Sequence, residues 1–91
     1  MKNNYVGIVD KIRVIKTHPD MLVRFSLVNI EETINCVVAK KELANQLLFF
    51  ENGKTEVAVY GHANKRGQLV IDKMMIRNPT AYLRTFAMGV K

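Results

Sequence analysis

Thr33-Ile34-Asn35-Cys36-Val37-Val38-Ala39-Lys40-Lys41-Glu42-Leu43-Ala44-Asn45-Gln46-Leu47-Leu48-Phe49-Phe50-Glu51-Asn52-Gly53 is the stretch on which the fold turns. From Thr33 to Ala39 the residues alternate: Ile34, Cys36 and Val38 share one side, and Thr33, Asn35, Val37 and Ala39 the other. That is the pattern of a strand with one face in a core. Past Lys41 the period lengthens. Leu43, Leu47 and Phe50 recur at helical spacing among good helix formers, which predicts a helix over Lys41–Phe50 with Phe49 and Phe50 packed on the barrel. Gly53 follows, able to take the left-handed conformation that commonly closes a helix.

Upstream, Tyr5 to Ile15 carries Val6, Ile8, Ile12 and Val14, with Val9 beside them, broken by charged positions, and reads as a long first strand. Thr17-His18-Pro19-Asp20 is a turn, since proline presets φ. Met21 to Val28 is a second strand, Val23, Phe25 and Leu27 inward and Arg24 and Ser26 outward. Asn29-Ile30-Glu31-Glu32 links it to the quoted strand. Downstream, Thr55 to His62 forms a fourth strand with Val57 and Val59 inward and Gly61 marking a bulge. Asn64-Lys65-Arg66-Gly67 is a tight turn, and Leu69 to Arg77 a fifth strand in which the pairs Val70-Ile71 and Met74-Met75 blur the inner face. Three strands, a helix and two strands is the element order of the all-β, five-stranded OB barrel, with its helix between strands 3 and 4. The expected division is an OB domain over 1–79 and an extension over 80–91, docked or partner-binding, that carries Tyr82, Leu83, Phe86 and Met88.

Composition narrows the function. At 91 residues there is room for one compact core, and a hydrophobic fraction of 48% is enough to fill it. Lys and Arg number 14 against 8 Asp and Glu, a net charge of +6 that favours polyanionic partners, nucleic acid first. No apolar run approaches the ~20 residues of a membrane span. A single cysteine and an N-terminus without an apolar leader give a cytoplasmic expectation. Cys36, on the inward side, reads as a small buried hydrophobe. His18, His62 and Cys36 lack the close spacing of metal ligands, and no nucleophile-base arrangement, phosphate-cradling glycine loop or carboxylate pair is visible. The expectation is a binding protein without cofactor, metal or catalytic residues.

The quoted stretch also resembles a family. Ile34-Asn35-Cys36-Val37-Val38-Ala39-Lys40-Lys41, with Ala44-Asn45 downstream, is similar to the third strand and helix of bacterial single-stranded DNA-binding proteins, whose usual string is Phe-Ile-Asn-Cys-Val-Val-Trp-Gly-Lys followed by an Ala-Glu-Asn helix. Phe49-Phe50-Glu51-Asn52-Gly53 falls on that helix end, Asn4 to Ile12 on the opening strand, Phe25-Ser26-Leu27 on the second, and Val57-Ala58-Val59-Tyr60-Gly61 on the fourth. The similarity runs over roughly Asn4 to Asn78, in order. It implies an OB fold, single-stranded DNA as ligand and an oligomer, dimer or tetramer. The departures bear on affinity. The positions at which the family stacks bases are Thr33 and Ala39 here, and a stacked base supplies ~1–3 kcal/mol. The loops between strands are shorter than the family's and its acidic tail tip is missing. A trimmed barrel of this kind is also similar to primosomal replication protein B, a dimer.

Candidate contacts follow from the outer face and turns: Arg24, Asn35, Lys40, Lys41 and Tyr60 on strands 2 to 4 and the helix start, His62 near Tyr60, Lys65 and Arg66 on the turn, and Arg13, Lys16, Lys73 and Arg77 elsewhere on the strands. Lys and Arg would track phosphates while Tyr60 stacks a base. Any one of them is equally well a solvated surface group, so the cluster carries the reading. The expected function is single-stranded DNA binding without marked sequence preference in replication, recombination or mobile-element maintenance, with RNA ranking behind DNA. The alternative is an assembly subunit that contacts a replication protein or its own copy through Val28, Ile30, the outward Val37, an open first-strand edge and the C-terminal apolar residues.

Overall fold

The computed structural model describes residues 2–77; the 80–91 extension lies outside the described residues. Strands β1 (Lys2–Lys16), β2 (Leu22–Val28), β3 (Thr33–Val38), β4 (Glu56–Ala63) and β5 (Leu69–Ile76) form a closed barrel in the order β1-β2-β3-β5-β4, with helix α1 (Lys41–Leu47) between β3 and β4. This is the OB architecture expected from the element order. All neighbouring pairs are antiparallel except β3 with β5, which closes the barrel through Cys36↔Leu69 and Val37↔Val70. β1 is shared between two neighbours, each half paired with a strand on one side: Lys2 to Ile8 pair with β4, and Ile8 to Lys16 with β2.

The core is built by alternation. Val23, Phe25 and Leu27 of β2, Cys36 and Val38 of β3, and Val57 and Val59 of β4 are buried as the patterning predicts. Each large apolar side chain so placed contributes ~1.5–3 kcal/mol. Burial pushes the Cys36 thiol up to about 12. Val37 departs from the expectation. It points outward yet is only 8% exposed, because in register it lies between Arg24 on β2 and Val70 on β5 across the barrel closure.

On β1 the core side is taken by Val9 and, past an irregularity, by Ile12, while Val6 and Val14 are exposed. Between Asp10↔Ser26 and Arg13↔Arg24 the first strand holds one more residue than its partner, a β-bulge centred on Lys11, whose φ of 51° is left-handed. The bulge is held from outside the sheet. Asn52 Oδ1 accepts from the Ile12 amide at 2.9 Å, and the Gly53 amide donates to the Val9 carbonyl at 2.8 Å. Gly53, at φ 79°, therefore docks on β1 instead of closing the helix. The helix stops at Leu47, since the amides of Leu48, Phe49 and Phe50 bond three residues back, tightening the last turn into 3₁₀ geometry. That rotation packs Phe50 on the core and leaves Phe49 77% exposed, against the expected burial of both.

A second bulge settles the ambiguous fifth strand. Tyr60↔Lys73 is followed by Gly61↔Ile71, so Asp72 is the extra residue. Leu69 and Ile71 are buried before it and Met74 packs on the core after it. Gly61 sits opposite, where a Cβ would overlap the Val70 carbonyl oxygen.

Candidate nucleic-acid interface

The first bulge decides where the charge goes. Without the extra residue Arg13 would share the inward parity of Val9. With it, Arg13 turns outward and pairs directly with Arg24, both exposed. Beside them on the same outer wall run Ser26↔Asn35 and Arg24↔Val37. Lys11, Arg13, Arg24, Ser26 and Asn35 line a mainly polar hollow of about 240 Å³. Arg13, Arg24 and Asn35 were expected there. Lys11 and Ser26 were not: Ser26 was legible from the β2 alternation, Lys11 only from the bulge. Among the described residues the one Lys or Arg within ion-pair distance of a carboxylate is Lys54, beside Glu51, and Asp72 lies against His62, so these three cations face solvent without a carboxylate partner of that kind. Like charges placed directly opposite on neighbouring strands are destabilising, and an anion in the hollow would relieve them.

The other expected residues divide. Lys16 is exposed at the far end of β1, in register with Leu22, and Lys41 is exposed at the helix start. Lys65 and Arg66 stand on the β4–β5 turn, where Asn64 Oδ1 accepts from the amides of Arg66 and Gln68 at 2.9 Å each. Lys40 is engaged elsewhere: its ammonium donates to the carbonyl of Asp72 at 3.0 Å, and His62 Nδ1 lies 3.0 Å from Asp72 Oδ2. Both therefore hold the second bulge. Tyr60 is half-buried in a row with Asn4 and Lys73, and Arg77 follows β5 with its amide donating to the Glu56 carbonyl at 2.8 Å. These three belong to the β1–β4–β5 wall, and the structure does not gather them with Arg24. Only His62 connects in register to the basic wall, through the row Arg24–Val37–Val70–His62. Thr33 and Ala39 are exposed and place no aromatic on it.

The larger hollows lie apart from this charge. One of about 800 Å³ takes in Val6, Ala58, Tyr60 and Met75, and one of about 640 Å³ takes in Val6, Ile8, Val28, Ile30, Glu31 and Glu56. Among the described residues there is no cluster of His, Cys, Asp and Glu suited to a metal ion, and no helix long and apolar enough to cross a membrane.

No protein-family profile and no curated protein sequence matches the chain. Among solved structures the barrel is similar to a chain in the crystal structure of yeast Stn1 and Ten1, with a TM-score of 0.69 at 12% sequence identity over 94% of this chain. This chain spans about half of that one, 48% of its length. At that identity the likeness is one of fold, and it agrees with the OB barrel derived above.

Proposed function

We propose that this protein binds single-stranded DNA without marked sequence preference, through the outer wall of β1, β2 and β3. The observation that carries the reading is the Arg13–Arg24 pair: two cations opposed across neighbouring strands, with Lys11 beside them, lining a polar hollow. Three phosphates of a flexible strand would neutralise them, while Ser26 and Asn35 offer hydrogen bonds to sugar or base edges. With Thr33 and Ala39 in place of stacking aromatics, affinity rests on counterion release more than on stacking. The protein acts by contact alone, with no reaction, in replication, recombination or mobile-element maintenance.

The test is fluorescence anisotropy of a labelled oligo-dT of about thirty nucleotides at several salt concentrations, with an RNA strand and a duplex as controls. Three phosphate contacts give a log–log salt slope of ~−2 on a single strand, and removing Arg24 alone reduces it by ~0.7. Absence of binding at low salt overturns the reading. A second reading, an assembly subunit, is favoured by the apolar hollow around Ile8 and Val28. It predicts a complex with a protein partner or a second copy that salt barely affects.

A further inference from the structure

We infer that residues 78–91 dock back on the barrel they leave and cover the apolar groove between β4, β1 and the β2–β3 loop. The groove is well built. Val6 and Ile8 of β1 and Val28 of β2 face outward there, and Ile30 stands fully exposed on a loop fixed by Asn29, whose Oδ1 accepts from the Glu31 and Glu32 amides at 2.9 Å each. The row Val6↔Ala58↔Met75 carries the apolar strip on to β5, where Met75 is 69% exposed.

The chain leaves the barrel at this groove. Arg77 is bonded to Glu56, Glu56 is paired with Ile8, and Ile8 with Val28. From β5 to β2 the strip crosses three interstrand spacings of ~4.8 Å, ~14 Å in all. Even coiled at ~1.5 Å per residue, residues 78–91 reach ~20 Å, enough to cross it. The chemistry matches as well. The segment holds Tyr82, Leu83, Phe86, Met88 and Val90 for the apolar strip, and Arg84 and Lys91 with no acidic residue. The groove is rimmed by Glu31 and Glu56, with Glu32 adjacent. A second copy presenting the same face would set these carboxylates against their own counterparts, since a two-fold interface repeats one patch. The acidic rim likewise repels nucleic acid. This inference does not depend on the DNA-binding reading.

The test is paramagnetic relaxation in the full chain. A nitroxide is attached at Ala87→Cys, the buried Cys36 being left unlabelled, and the methyl signals of Ile8, Val28 and Ile30 are followed by NMR against Val14 as control. Docking within one chain removes most of the intensity of the groove methyls, spares Val14 and persists on dilution, and adding Leu83→Asp with Phe86→Asp restores the signals. Full intensity in the parent labelled chain overturns the inference. So does a loss that fades on dilution and appears between labelled and unlabelled copies, which would put a second molecule in the groove, or a loss that survives the double aspartate substitution.

Discussion

If Arg13 and Arg24 are held together for an anion, then Arg24→Glu should strengthen the fold while it abolishes binding. Strand neighbours lie ~5.5 Å apart, and two unit charges at that distance in water repel by ~0.75 kcal/mol before screening. Reversing one sign changes the pair by about twice that, ~1.5 kcal/mol at low ionic strength. The exposure of both side chains and their freedom to splay reduce this to well under ~1 kcal/mol at physiological salt. The assay is urea unfolding of Arg24→Glu and of Arg24→Gln at two salt concentrations, alongside the anisotropy titration. The unfolding midpoint should rise for Glu, rise less for Gln, and lose the gain as salt increases. DNA affinity should fall for both, further for Glu than for Gln, with the salt slope reduced by ~0.7 for Gln. A salt-independent loss of more than ~1 kcal/mol in both variants would refute the reasoning, because Arg24 would then be serving the fold through its stem over Val37.

Lys40→Met should behave in the contrary way, costing ~1 kcal/mol of stability through the lost bond to the Asp72 carbonyl while leaving the DNA salt slope unchanged; a changed slope would return Lys40 to the interface. Gly61→Ala should lower the unfolding free energy by ~1–3 kcal/mol, read as a lower urea midpoint, as its methyl meets the Val70 carbonyl across the bulge, and an unchanged midpoint would mean the strands part freely there. Lys11→Gly should stabilise by up to ~1 kcal/mol by relieving the left-handed φ, and Asn52→Ala should destabilise by ~1 kcal/mol by orphaning the Ile12 amide. Cys36 should resist thiol reagents at pH 8 in the folded protein and react on unfolding. Its thiol is raised from 9.0 to about 12 in the fold, so stability from this group is intact below pH 9 and drains away as pH rises toward 12; ready native labelling at pH 8 would contradict its burial.

The element order was legible because β2, β3 and β4 keep strict alternation, and the change of period after Lys41 marks the helix. What escaped the sequence was parity. Period two counted from the buried Val9 on β1, or from Leu69 and Ile71 on β5, would put Arg13 and Lys73 inward, whereas the sequence offered Val6, Ile8, Ile12 and Val14 as the apolar set of β1, and the pairs Val70-Ile71 and Met74-Met75 look contradictory. Each strand in fact changes face at one extra residue, Lys11 or Asp72, and nothing local marks Lys11, a residue that ordinarily avoids positive φ. Their supports are distant in sequence: Asn52 for the first bulge, Lys40 and His62 for the second. For the same reason charge alone grouped Lys40 and His62 with Arg24 and passed over Lys11, which lines the hollow with Arg13 and Arg24. Phe49 was misplaced by a single turn, because a helix that tightens at Leu47 no longer follows the spacing that Leu43 and Leu47 begin.

The two bulges have a common effect. Each lies where an unbroken strand would carry a cation into the barrel, Arg13 on β1 and Lys73 on β5, and each turns that cation out while returning an apolar residue, Ile12 or Met74, to the core. Burying either charge unpaired would cost several kcal/mol, so the strands could not keep these residues without the bulges. The result is a barrel whose outer surface is divided by position along β1. The half before Lys11 offers Val6 and Ile8 beside Glu56, an apolar groove with an acidic rim. The half after it offers Arg13 opposite Arg24, a basic wall. By charge alone, the second half would attract an anionic strand and the first repel it, and a basic apolar segment would be favoured the other way round. One residue inserted in one strand thus separates a basic surface from an apolar, acid-rimmed one on a single small barrel.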